Sequence, residues 1–212
     1  MKILKINQQR PDNKMLILVA EALRNEQVIV HPTETVYALA GIFLSEIVIS
    51  KIISIKQRTP DKPFSIMVNS VEEMLEISGN DHAWLESYLK AIFPDAITVL
   101  LPRNRNLENP FWNQFPLLGF RYPRHNLSNL IAARIGQGII TTSANRAQLP
   151  PPTRIEELDP TISRQVSLIL DGGETQFKIP STIIEVDIQN QSVKCIREGA
   201  VPFKRIQNYF KS

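Results

Sequence analysis

Apolar residues in this chain change their period again and again. Helical spacing gives way to short β-branched runs and then returns, from one end to the other. A chain patterned this way buries helices against a sheet, so an α/β or α+β layered fold is expected. The 212 residues, 43% of them apolar, supply enough core for one domain over 1–212. Strands are expected at 2–6, 27–31, 64–69, 97–101, 118–122, 138–142, 166–170, 182–186 and 193–197. Helices are expected at 13–25 behind Asp12, at 45–57, from the Ser70 and Glu73 capping box, at 81–93, and at 126–135 up to Gly136. In the second of these, Ile47, Ile49, Ile52, Ile53 and Ile55 are expected on the buried side. A weakly amphipathic tail helix is expected at 203–211, and 149–153 reads as a proline-rich loop.

The charge balance excludes little. Lys and Arg number 24 against 21 Asp and Glu, a net +3 that permits an anionic ligand or weak, transient RNA contact without indicating a dedicated nucleic-acid binder. The single cysteine, Cys195, cannot form an intrachain disulfide, which fits a reducing compartment. No apolar core of the signal-peptide kind stands behind the basic residues of 1–10, and no apolar run is long enough to span a bilayer. The expectation is a cytoplasmic protein with no membrane partner.

Polar residues gather at strand ends, where ligands of open α/β sheets bind. His31-Pro-Thr-Glu-Thr-Val-Tyr37 runs from a strand into a turn with hydroxyls and a carboxylate, and would serve equally as a turn and helix cap. Lys56-Gln-Arg58 with Lys62 puts cations at a helix end. They could clamp phosphate, or simply complement the helix dipole. Thr141-Thr-Ser-Ala-Asn145 offers hydroxyls, an amide and backbone N–H groups to an anion, or makes a polar turn. No Lys or His neighbours Ser143 in the sequence, so it is not read as a nucleophile. Arg121, inside an apolar strand, needs an anionic partner, which a structural carboxylate or a ligand could supply. Asp171-Gly-Gly173 is a turn signal first. Neither GxxxxGK[ST] nor GxGxxG occurs, no Ser-His-Asp set can be assembled, and His31, His82 and His125 lack metal-ligand spacing.

Taken in order, Pro32-Thr-Glu-Thr-Val-Tyr37, Lys56-Gln-Arg58 with Lys62-Pro63, Gly119-Phe-Arg121-Tyr-Pro123, Thr142-Ser-Ala-Asn145, Asp171-Gly-Gly173, Ser181-Thr182 and Arg197-Glu-Gly199 resemble the YrdC-like threonylcarbamoyl-AMP synthase family. The resemblance spans about 15–202. It implies a single α/β domain, a twisted mixed sheet with flanking helices around a large basic cleft. It also implies an enzyme, a nucleotidyltransferase that joins L-threonine, bicarbonate and ATP, with Mg²⁺ on the ATP and no dedicated protein ligands for the metal. A separate downstream transferase then places the threonylcarbamoyl group on tRNA. By matching positions, Lys56, Arg58, Ser143 and Asn145 are the catalytic tetrad. Arg58, Lys62, Leu117, Ser143, Pro151 and Arg197 lie on ATP, and Thr35, Met67, Arg121, Thr141 and Ser181 hold threonine. A paralogue acting on another acceptor, or a non-catalytic RNA-binding module, is the alternative.

Two positions depart from the family pattern. Ala38 replaces the glycine usual after Tyr37, which would strain a backbone of positive φ. Phe93-Pro-Asp-Ala-Ile-Thr98 lacks the usual Pro-Gly-Pro turn, which is expected to alter loop shape near the cleft. The short stretch after Arg197 predicts the form without an additional C-terminal domain.

Overall fold

The structure, a computed structural model, describes residues 2–210. In chain order these form β1 (Lys2–Lys5), α1 (Asn13–Arg24), β2 (Ile29–His31), β3 (Ala38–Ile42), α2 (Glu46–Lys56), β4 (Ser65–Met67), α3 (Val71–Ser78), α4 (Ala83–Ile92), β5 (Ile97–Pro102), α5 (Pro110–Asn113), β6 (Leu117–Arg121), α6 (Asn126–Ile135), β7 (Ile139–Ser143), α7 (Pro160–Ser163), β8 (Leu168–Asp171), β9 (Thr182–Asp187), β10 (Ser192–Arg197) and α8 (Phe203–Phe210). Lys211, where the tail helix was expected to end, lies outside the described residues.

Among the described residues the strands make one mixed sheet, ordered β1-β8-β2-β3-β7-β4-β6-β5-β9-β10. Alternation along each strand separates two cores. Val30, Leu39 and Ile66 face α2, α3 and α4, while Ile29, Ala40 and Met67 face α1 and α6. Among the described residues no helix is long and apolar enough to cross a membrane.

Helix starts follow the caps in the sequence. Asp12 accepts from the Lys14 N–H at 2.6 Å, and Ser45 from that of Val48 at 3.1 Å. Ser70 accepts from the Glu73 N–H at 3.0 Å, and Glu73 reaches back to the Asn69 N–H at 2.8 Å, one residue beyond the reciprocal partner of a capping box.

One burial expectation fails. Ile47 is 63% exposed and Ile53 only partly buried, while Val48, Ile49, Ile52 and Ile55 fill the core. At 3.6 residues per turn, positions 48, 52 and 55 share a face, and 47 is carried away from it.

Ala38 lies in extended strand, paired with His31 and Ser143, and is absent from the residues with positive φ. The expected strain therefore does not arise. Its methyl group lines a cavity instead, so the replacement acts on volume. Ala38→Gly, restoring the family residue inside a strand, is expected to lower stability by about 0.5–1 kcal/mol through lost backbone restriction. Urea unfolding of the two proteins measures it.

Candidate active site

The sheet order brings distant segments to one hollow of about 170 Å³. Its wall includes Thr35 after β2, Arg121 at the end of β6, Thr141 and Ser143 on β7, Ser181 before β9 and Arg197 at the end of β10. Gly119 keeps the neighbouring sheet surface low: a Cβ there would stand 3.3 Å from Thr98 and 3.6 Å from the Ser65 hydroxyl, both cavity residues.

The turn after β2 is organised by one hydroxyl. Thr33 Oγ1 accepts from the N–H groups of Thr35 (3.1 Å) and Val36 (3.2 Å) and donates to the Val36 carbonyl at 2.7 Å. This hydroxyl-centred turn presents the fully buried Thr35 and carries Glu34 beside Arg121. Arg121 Nη2 donates to Glu34 Oε1 at 2.6 Å and to Thr35 Oγ1 at 3.3 Å. The anionic partner that Arg121 requires is thus a structural carboxylate. Burial raises the Glu34 pKa, and Arg121 opposes that rise.

Arg197 enters from the solvent rim. A register shift in β10 lies between Cys195 and Arg197, and such bulges re-aim the side chain that follows. Arg197 Nη2 donates to the Ser181 carbonyl at 2.8 Å. Gly199 permits this close approach, since a Cβ there would lie 2.3 Å from the Pro180 carbonyl oxygen. The pKa of Arg197 is lowered by burial and then by the Arg121 charge. Ser181 Oγ and Thr98 Oγ1 share a 2.8 Å hydrogen bond across 83 residues.

Lys56 ends α2 and is buried. Its ammonium donates to the backbone carbonyls of Ser143 (2.5 Å) and Asn145 (2.9 Å) and to Asn145 Oδ1 at 3.3 Å. The Ala147 N–H returns a bond to the Lys56 carbonyl at 2.9 Å. Ser143 Oγ donates to Asn145 Oδ1 at 2.5 Å, so Lys56 adjoins Ser143 in space without acting as a base on its hydroxyl. Burial, with a smaller contribution from Arg58, brings the Lys56 pKa down to about 7. Arg58 follows the left-handed cap Gln57 and hydrogen-bonds the Lys62 and Pro63 carbonyls. Its guanidinium lies 4.8 Å from the centre of the Phe64 ring, which lines the cavity.

The structure places the other sequence-derived candidates elsewhere. Met67 packs into the core beneath α6, and Leu117, Lys62 and Pro151, like Lys56, Arg58 and Asn145 of the tetrad, are not in the cavity wall. The wall adds Thr98 and Ser65, which were not among the expected ligand contacts, and Thr142 from the Thr141–Asn145 motif. Asp95 replaces a glycine of the usual turn and is buried. Its carboxylate accepts from the Ala96 N–H at 2.8 Å and from Arg205 of α8 at 2.7 Å, so the altered turn docks the last helix.

A larger groove of about 890 Å³ lies behind the Thr33–Glu34 turn, along Asp171–Gly173, and is bordered by Glu34, Asp171 and Glu174 with Lys5. Its charge has the wrong sign for phosphate or carboxylate. The smaller cavity carries two guanidinium groups and borders the Lys56-braced turn, so anion chemistry belongs there. Two buried polar atoms of its lining residues lack a partner: Arg121 Nε and Thr141 Oγ1.

Comparison with known proteins agrees with this architecture. A Pyrococcus abyssi protein named threonylcarbamoyl-AMP synthase is 25% identical over 199 residues, covering 94% of this chain and 58% of the relative. Pyrococcus abyssi Sua5 in complex with L-threonine superposes with a TM-score of 0.87 at 23% identity, over 99% of this chain and 61% of that one. The chain thus spans about three-fifths of the length of these two relatives. Escherichia coli YciO superposes with a TM-score of 0.86 at 22% identity, over 97% of this chain and 98% of its own. The family described as "Telomere recombination" matches residues 21–199, and the chain therefore belongs to the Sua5/YciO/YrdC family.

Proposed function

We propose that this chain is an L-threonylcarbamoyladenylate synthase, a nucleotidyltransferase that forms threonylcarbamoyl-AMP and pyrophosphate from L-threonine, bicarbonate and ATP, for transfer to tRNA by a second enzyme. The observation that carries the reading is a cavity lined by Arg121 and Thr141, each of which also has a buried polar atom, Nε and Oγ1, without a partner. Unsatisfied buried polar groups are costly, and a ligand with a carboxylate and a hydroxyl would relieve both. At about 170 Å³ the space falls below the ~300–1,000 Å³ usual for larger ligands and suits a small amino acid. The nucleotide then lies outside it, along Arg58, Lys62 and the Ser143–Asn145 turn. The relatives' names, and the threonine bound to Sua5, support the same assignment.

The chemistry fits these groups. Threonine amine and bicarbonate give a carbamate with loss of water. A carbamate oxygen bonds to the α-phosphorus of ATP as the bond to the bridging oxygen breaks and pyrophosphate leaves. Both reactants are anions, so the work is to hold them in line and to offset their repulsion. Arg121 takes the threonine carboxylate, Arg197 adds charge at the rim, and Lys56 and Arg58 face the phosphates. Mg²⁺ would reside on the phosphate oxygens, which supply the hard ligands it prefers. No group of three His, Cys, Asp or Glu side chains suited to a metal occurs among the described residues.

Pyrophosphate release with ATP, Mg²⁺ and bicarbonate is expected to depend on L-threonine; release that ignores threonine rejects the assignment. The alternative of another acceptor acid would be revealed by a panel of amino acids in the same assay.

A further inference from the structure

Arg121 is useful to a ligand carboxylate only if its guanidinium plane is held. We infer that Glu34 is the positioning residue of the amino-acid site: its carboxylate fixes the Nη2 side of Arg121, leaving the rest of the guanidinium for the carboxylate of an α-amino acid. This rests on the proposed function and assigns a role to a residue outside the tetrad and threonine set.

The geometry is specific. Glu34 is 2% exposed and its Oε1 accepts from Arg121 Nη2 at 2.6 Å, while Thr35 Oγ1 accepts from the same nitrogen at 3.3 Å. The bond to Glu34 occupies Nη2, while Arg121 Nε is buried with its hydrogen bond still unmade. The backbone that carries Glu34 is itself tied down. Its carbonyl accepts from the Phe177 N–H at 2.9 Å, and the Tyr37 hydroxyl, three residues on, donates to the Gly173 carbonyl at 2.7 Å. The carboxylate is therefore in place before any ligand arrives.

Charge supports the same role. Arg121 and Arg197 are near enough for each charge to act on the other. His31 and His125 lie close to Arg121, and burial takes their pKa values down to about 3 and about 4, so neither adds charge near neutral pH. Arg121 and Arg197 are the charged side chains of the wall; Glu34 balances one of them, and Asp95, the other carboxylate acting on Glu34, is paired with Arg205, so one positive charge remains for a ligand carboxylate to balance. Removing the Glu34 charge would leave Arg121 rotationally freer and the hollow overcharged.

Calorimetric titration tests this with wild-type protein, Glu34→Gln and Glu34→Asp, using L-threonine, a panel of other L-amino acids, and threoninol, which lacks the carboxylate. Glu34→Gln keeps the shape and removes the charge. It is expected to weaken the binding of the preferred amino acid roughly tenfold or more while leaving threoninol affinity and ATP affinity within about twofold. Glu34→Asp is expected to fall between the two, and carries the test if Glu34→Gln does not fold. Equal losses for threonine and threoninol would show a merely structural role and overturn the inference. So would unchanged threonine affinity in both variants while the wild type binds. A wild-type protein that binds no amino acid would remove the site assignment, and this inference with it.

Discussion

Arg121→Ala is expected to abolish threonine-dependent pyrophosphate release and to destabilise the fold together. The second effect follows from Glu34. Its carboxylate is almost fully buried, and Arg121 is its ion-pair partner at 2.6 Å. Removing one side of a buried pair leaves an uncompensated charge and costs about 3–5 kcal/mol. Arg121→Lys should rescue little activity, because an ammonium cannot hold Glu34 and Thr35 while also offering a planar edge to a ligand. Replacing both members, Arg121→Met with Glu34→Leu, separates the two effects. Stability should return to within about 1 kcal/mol of the wild type or exceed it, while threonine dependence stays lost, since packed apolar groups can replace a buried pair in stability but not in recognition. Urea unfolding and the pyrophosphate assay on the three variants read both quantities. Near-normal threonine use in Arg121→Ala would remove this arginine from the site.

What was legible in the sequence and what was not divide along one line, local against cross-strand. Caps at Asp12, Ser45 and Ser70 are contacts within a few residues, so composition and spacing revealed them. The β3 strand did not show. Ala38-Leu-Ala-Gly-Ile42 has weak β propensity, and it is a strand because β2 and β7 pair with it on both edges. The four-residue α5 and α7 are too short for a periodic signal. In the site, motif order marked Thr35, Arg121, Ser143 and Arg197 as candidates. The roles of Thr98 and Glu34 depend on which strands lie side by side. Thr98 meets Ser181 only because β5 pairs with β9, and Glu34 meets Arg121 across 87 residues. Position at a helix end leaves Lys56 open between a phosphate clamp and a charge complementing the helix dipole, and the family resemblance puts it in the catalytic tetrad. Its three hydrogen bonds to the Ser143–Asn145 turn required the fold to bring α2 against the end of β7.

That placement gives Lys56 the second large effect. Lys56→Met keeps most of the side-chain volume and removes the charge and its bonds to Ser143 and Asn145. Turnover is expected to fall about 10²–10³-fold, the scale of losing one preorganised electrostatic contact. Titration adds a signature that a purely structural lysine would not give. In the unliganded protein its pKa is lowered to about 7, by burial first and by the Arg58 charge second. At pH 8 most of the protein therefore carries it neutral, and at pH 6 most carries it charged. A bound polyphosphate favours the ammonium and raises the pKa again. ATP binding at pH 8 should then take up a proton, approaching one per site, and uptake should shrink toward zero by pH 6, where the proton is already present. Calorimetry of ATP binding in buffers of different ionisation heat measures the uptake, and Lys56→Met should lose it. Uptake that persists in Lys56→Met would place the titrating group elsewhere. A proton balance at pH 8 that is the same in the wild type and in Lys56→Met would show that the phosphates do not change the charge of this lysine.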